Sequence, residues 1–144
     1  MAYVRIWVHT VWGTKKHTPF LTSENKRIVL QHINENASNK NIYIDFMNGH
    51  LDHIHCLISL NPKQCIADVI QLIKGESSFW INKNKIIVKN FEWSDEYYAV
   101  SVSESQVNTV RDYIKHQEEH HRKKTYVEEY NEFIEKHGFI KMKG

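Results

Sequence analysis

The chain has 144 residues, 41% of them hydrophobic and 25% charged, enough for one proper core and far from the composition of a disordered chain. A net charge of +2 does not by itself announce a nucleic-acid partner, and the apolar runs of the sequence are all far shorter than a membrane span. Five glycines, at 13, 49, 75, 138 and 144, form neither a phosphate loop nor a dinucleotide fingerprint, so no nucleotide cofactor is expected.

Residues 3–12 alternate, with Val4, Ile6 and Val8 on one side and Arg5, Trp7 and His9 on the other, as in a half-buried strand. Ser23 and Glu24 open a helix with Ile28, Val29, His32 and Ile33 on one face. A second strand is predicted over 42–47, with Ile42, Ile44 and Phe46 inward, followed by an Asn48-Gly49 turn. A third covers 53–60. After Asn61-Pro62 a helix carries Ile66, Val69, Ile70, Ile73 and Trp80 at helical spacing, and 82–90 is a connector. A fourth strand lies within 97–102. Ser103 and Gln106 fit a capping box for a helix running to about Lys124, and a last amphipathic helix carries Val127, Tyr130, Phe133 and Ile134 and stops at Gly138.

The order βαββαβαα predicts one α+β domain over residues 1–144. Its plan is a ferredoxin-like antiparallel sheet, with helices mainly on one face and a tyrosine-bearing helix near the C-terminus. The N-terminus lacks the basic-then-apolar pattern of a secretory signal. Two cysteines, Cys56 and Cys65, make no disulfide framework, so a cytoplasmic protein with reduced thiols is expected.

Ten histidines are the anomaly of the composition. In Asp52-His53-Ile54-His55-Cys56, strand alternation puts His53 and His55 on one face, away from the core side taken by Ile54 and Cys56. Two imidazoles so spaced can share one metal ion. A zinc cluster of His50, His53, His55 and Cys56 would need Cys56 on the wrong face. In Val110-Arg111-Asp112-Tyr113-Ile114-Lys115-His116-Gln117, Tyr113 and Gln117 are four apart and stack on one helix flank beside the stripe Val107, Val110, Ile114. Taken alone, Tyr113 reads as a packing residue and Gln117 as a surface amide.

Together these stretches resemble the HUH-type single-tyrosine transposases of small bacterial insertion sequences. The resemblance rests on His53-Ile54-His55 preceded by Asp52, then Lys74-Gly75-Glu76-Ser77-Ser78, a Trp93–Val102 strand, and Tyr113 with Gln117. It spans the chain from the first strand to the tyrosine helix.

The resemblance implies a metal-dependent single-strand DNA transposase. His53, His55 and the Gln117 side-chain oxygen would hold one divalent ion, Mg2+ or Mn2+. Tyr113 would attack the scissile phosphate, leaving a 5′-phosphotyrosine and a free 3′-hydroxyl that a second end can rejoin. The expected partners are hairpin-bearing single-stranded DNA and a second copy of the chain, with Lys74, Lys83, Lys85 and Lys115 as phosphate contacts; no membrane partner is expected. His116 is a candidate proton acceptor on its position alone. Three other readings fit the same elements. One is a non-catalytic single-stranded nucleic-acid-binding ferredoxin-like domain using Trp7, Tyr43 and Tyr97. Another is a domesticated relative of the transposase, and the third is a metal-dependent phosphoesterase using the histidines and water.

Overall fold

The computed structural model describes residues 2–120 and 124–137. Its strands are β1 (Ile6–Thr14), β2 (Tyr43–His50), β3 (His53–Leu60) and β4 (Trp93–Val102). Its helices are α1 (Ser23–Asn39), α2 (Ile66–Lys83), α3 (Val107–Lys115), α4 (Gln117–His120) and α5 (Tyr126–His137). The four strands form one antiparallel sheet in the order β2-β3-β1-β4. This is the ferredoxin-like plan expected from the element order.

The main helical layer, α1 and α2, lies on one face. Val29, Ile33 and Ala37 of α1 and Val69, Ile70, Ile73 and Ile81 of α2 pack on Val8, Trp12, Ile54, Cys56 and Ile58 of the sheet. Helix α1 starts where Thr22 accepts the Asn25 backbone N–H at 3.3 Å, an N-cap that satisfies one of the helix's orphan donors. Two quoted motif residues lock α2 to β4: Trp93 Nε1 donates to Ser77 Oγ at 2.9 Å, inside the core.

The shorter helices α3 and α5 cover the other face. Trp7 and Leu57 meet Val107 and Ile114 of α3, while Val11 and Tyr98 meet Tyr126 of α5. Strand β1 is therefore not half-buried. It sits inside the sheet with helices on both faces, and its residues from Trp7 to Thr14 are buried.

Other local expectations shift for physical reasons. The register of β2 against β3 slips between Ile44 and Phe46, so a bulge at Asp45 reverses the side-chain parity. Phe46 then joins the α3 cluster instead of the α1/α2 core, and Met47 takes the inward place. The bulge aims Asp45 at Arg111 of α3, whose Nη2 donates to it at 2.7 Å. Asn48-Gly49 is not the turn; both belong to β2, and the chain reverses at Leu51-Asp52. Glycine is required at 49 because a Cβ there would stand 2.2 Å from the His53 carbonyl oxygen. Strand β4 begins at Trp93, four residues before the start read from the residues alone and at the start that the resemblance implies.

The capping box is absent. Ser103 leads into a 3-10 turn over Glu104–Gln106 without a side-chain cap, and α3 begins at Val107. The expected long helix ends at Lys115, and α4 restarts at Gln117 after a break at His116. The predicted stop at Gly138 lies outside the described residues. Among the described residues no helix is long and apolar enough to cross a membrane.

Candidate active site

Strand β3 supplies the first two site residues. Its odd-numbered side chains leave the α1/α2 core, as the alternation requires, and point under α3, α4 and α5. His53 and His55 are therefore fully buried, at 0% exposure each, rather than displayed on an open sheet face. The break at His116 turns Gln117, also 0% exposed, toward the same point. Tyr113, partly buried in the α3 cluster, brings its ring to 5.5 Å from that of His55. The structure thus gathers His53, His55, Tyr113 and Gln117 within one chain.

Each imidazole has its outer nitrogen engaged. His53 Nδ1 lies 2.9 Å from Asp52 Oδ1, so it carries the proton it donates to that carboxylate. In the neutral ring Nε2 then presents a lone pair. It faces Gln117 Oε1 at 3.2 Å and Glu129 Oε1 at 3.6 Å, both acceptors. The Gln117 amide is oriented by its Nε2, which donates to the Tyr113 carbonyl at 3.4 Å. His55 Nδ1 lies 2.9 Å from His9 Nε2, and His55 Nε2 donates to Glu129 Oε1 at 2.6 Å.

Acceptors facing one another in a buried site are unfavourable unless a proton or cation lies among them. Ligands about 2.1 Å from one ion stand roughly 3.0–3.4 Å apart; the His53–Gln117 separation of 3.2 Å lies in that range and the His53–Glu129 separation of 3.6 Å just above it, while His55 and Glu129, at 2.6 Å, are directly hydrogen-bonded. Imidazole, amide oxygen and carboxylate are all ordinary donors to divalent ions. His53, His55 and Glu129 offer ligand atoms within 4.8 Å of one another, a group compatible with a divalent metal.

Glu129 and His9 were not singled out from the sequence. His9 is on β1 with the parity of Trp7, and the register that pairs His9 with Leu57 and Val11 with His55 makes it a diagonal neighbour of His55. Glu129 comes from α5, which is rotated about one residue from the predicted stripe. Tyr126 and Glu129 face inward, whereas Val127 is 47% exposed. The Tyr126 ring stacks on His53 at 4.3 Å with planes 6° apart, and it lies against Gly13, where a Cβ would come within 2.7 Å of it. The readable signal was a carboxylate three residues after a tyrosine on the sheet-facing side of an amphipathic helix.

Glu129 also reaches the tyrosine. The Tyr113 hydroxyl donates to Glu129 Oε2 at 2.7 Å. Burial first, and then the Glu129 charge, push the Tyr113 pKa above its usual value.

The remaining predicted residues are spread out. Lys74, Lys83 and Lys85 lie on α2 or just after it, the helix packed on the opposite face of the sheet. Lys74 is half-buried and donates to the Ser94 carbonyl at 2.6 Å; Lys83 lies 5.7 Å from the Phe79 ring centroid. Lys115, exposed at the end of α3, is the nearest of the four in sequence to the site residues of that helix. His116 has its Nδ1 2.7 Å from the Asp112 carbonyl at the helix end. Of the aromatics of the binding-domain reading, Trp7 is buried, Tyr97 packs against the α1/α2 core, and Tyr43 is exposed.

A buried histidine pair on β3, one of the two central strands of a ferredoxin-like sheet, thus has a tyrosine and a glutamine brought over it by the following helices. Residues 2–117 match the family model described as "Transposase IS200 like", and the chain belongs to that family. The transposase of insertion sequence element IS200 from Salmonella typhimurium is 30% identical over 122 residues, covering 76% of this chain and 80% of that protein. The ISDra2 transposase TnpA of Deinococcus radiodurans is 26% identical over 115 residues, covering 76% and 81%. Among solved structures, a putative transposase from Deinococcus radiodurans superposes with a TM-score of 0.65 at 21% identity, covering 81% of this chain and 95% of that one. A REP-associated tyrosine transposase bound to a REP hairpin gives 0.54 at 16% identity, covering 81% and 68%. These two show a shared fold. The activity class that family membership carries is DNA transposition, with DNA as the partner.

Proposed function

We propose that this chain, acting as one domain over residues 1–144, cuts and rejoins hairpin-bearing single-stranded DNA through Tyr113. The carrying observation is convergence: the Tyr113 hydroxyl and the inward nitrogens of His53 and His55 meet around one buried carboxylate. Tyr113 Oη gives up its proton and attacks phosphorus, the bond from phosphorus to the 3′-oxygen breaks, that oxygen takes up a proton, and a 5′-phosphotyrosine is left with a free 3′-hydroxyl. The phosphodiester energy is retained in the adduct, so a second 3′-hydroxyl can reverse the step without a nucleotide cofactor.

His53, His55 and Gln117 hold a divalent ion in this reading, Mg2+ or Mn2+. When bound, such an ion supplies Lewis-acid polarisation and neutralises charge on the phosphate. Asp52 fixes the tautomer of His53, and Gln117 is oriented by the backbone of Tyr113 itself, so the nucleophile and a ligand share one support. The reading includes a homodimer, on the family resemblance, and a cytoplasmic location with reduced thiols, on the two cysteines that make no disulfide framework. In this chain Tyr113 lies beside its own histidines, its ring 5.5 Å from that of His55.

The test is covalent trapping. Labelled single-stranded DNA from both flanks of the gene is incubated with the protein and Mn2+, then run on a denaturing gel. The wild type should give a protein–DNA adduct. Tyr113→Phe, which keeps the ring and removes the attacking atom, should give none at any metal concentration while remaining folded by circular dichroism. An undiminished adduct in that variant would exclude Tyr113.

A further inference from the structure

We infer that Glu129 is a further ligand of the ion and that its second oxygen positions the Tyr113 hydroxyl for attack. The inference rests on the proposed metal-dependent reading and adds a residue beyond the family match, which ends at residue 117.

Glu129 is 4% exposed, so its carboxylate has been taken out of water. A buried carboxylate is costly unless donors or a cation compensate it. The carboxylate divides its oxygens between two tasks. Oε1 is 2.6 Å from His55 Nε2 and 3.6 Å from His53 Nε2, on the side where Gln117 Oε1 also points. Oε2 accepts the Tyr113 hydroxyl at 2.7 Å. Two imidazole nitrogens and the carboxylate oxygen lie within 4.8 Å of one another, the Gln117 amide oxygen is 3.2 Å from His53 Nε2, and the acceptor-to-acceptor contacts at His53 are relieved by a cation there.

With an ion held there, His55 would carry its proton on Nδ1 and His9 would carry its own on Nδ1, so that His9 Nε2, 2.9 Å away, would accept the hydrogen bond from His55 Nδ1. His53 already holds the tautomer needed, through Asp52. One carboxylate therefore ties the metal to the nucleophile, and it does so from α5. The stacking of Tyr126 on His53 fixes the rotation of α5 that aims Glu129 inward.

The experiment is titration of Mn2+ alone into the full chain by calorimetry, with hydrogen exchange of residues 126–137 measured with and without Mn2+. Glu129→Gln keeps the shape and removes the charge, and Glu129→Ala removes both; circular dichroism without metal verifies that each folds. Mn2+ affinity should fall about 10-fold for Gln and about 100-fold for Ala, the range lost when supporting groups of a metal site are removed. Mn2+ should slow exchange of α5 in the wild type and leave it unchanged in Glu129→Ala. Wild-type binding with equal affinity in a folded Glu129→Ala overturns the role of Glu129 and leaves the three-ligand reading standing. So does equal α5 protection in the two proteins. Failure of the wild type itself to bind Mn2+ sinks the metal reading and this inference with it.

Discussion

Ile54, Cys56 and Ile58 of β3 face α1 and α2 among aliphatic and aromatic neighbours, and each is 0% exposed. One residue out of step on the same strand, His53 and His55 are equally inaccessible, yet their neighbours are Asp52, His9, Gln117, Glu129 and the rings of Tyr113 and Tyr126. Burial is the same and the means differ. The first face is stabilised by apolar area removed from water. The second carries polar groups whose desolvation is offset by hydrogen bonds to one another. A face of the second kind gains little net stability and fixes geometry instead, as an active site requires.

The largest expected contrast comes from deleting side chains from each face in turn. Ile54→Ala should cost about 2–5 kcal/mol in chemical denaturation, the usual range for an aliphatic side chain emptied from a packed core. The protein that remains folded should bind Mn2+ as the wild type does. His53→Ala combined with His55→Ala should abolish Mn2+ binding in calorimetry and adduct formation on the gel. Its stability cost, measured without metal, should be about 1–3 kcal/mol, because Glu129 is left buried with fewer partners. Retained metal binding in the double variant would move the site elsewhere and erase the contrast between faces.

A smaller effect isolates the support of the site from its ligands. His9→Phe keeps a ring on the strand and removes the nitrogen that lies 2.9 Å from His55 Nδ1. Mn2+ affinity should fall roughly 10–100-fold, as for other groups that orient a metal-binding imidazole. Folding should survive, because His9 packs edge-on to Tyr113, a contact phenylalanine can keep. Unchanged affinity in His9→Phe would make His9 a packing residue.

The same contrast explains what could be read from the sequence. The apolar face was legible: β3 occupies 53–60 as predicted, α2 begins at the predicted Ile66, and Ile54, Cys56 and Ile58 face the core. Alternation states which side a residue takes. It does not state what lies above the polar side, so His53 and His55 read as exposed when α3, α4 and α5 bury them. The bulge at Asp45 was invisible because it follows from a register slip rather than from composition, and it misplaced Phe46. The break at His116 has no glycine or proline to announce it. Glu129, in the first turn of α5, looks like an acidic residue complementing a helix N-terminus in solvent. Its role depends on the rotation of α5 set by Tyr126 against His53 and Gly13, which no local pattern encodes.

The smallest expected effects concern the lysines, and they decide how far DNA reaches from one face to the other. Each lysine that meets a phosphate of single-stranded DNA should contribute about 0.7 to the slope of log affinity against log salt. Lys115, exposed at the end of α3, should lower that slope by about this amount when changed to Ala. Lys83 and Lys85 are exposed on the α2 side and should each do the same only if the strand wraps past the sheet. Lys74 is the internal control. Its ammonium donates to the Ser94 carbonyl at 2.6 Å, and burial holds its pKa below the usual lysine value against the pull of Asp95. To meet a phosphate it would have to give up that carbonyl. Lys74→Ala should therefore leave the salt slope unchanged. A slope that drops for Lys74→Ala as much as for Lys115→Ala would mean that the Ser94 contact breaks on binding and that the α2 face is part of the DNA surface. A slope that responds only to Lys115→Ala would confine the strand to the face that holds the histidines.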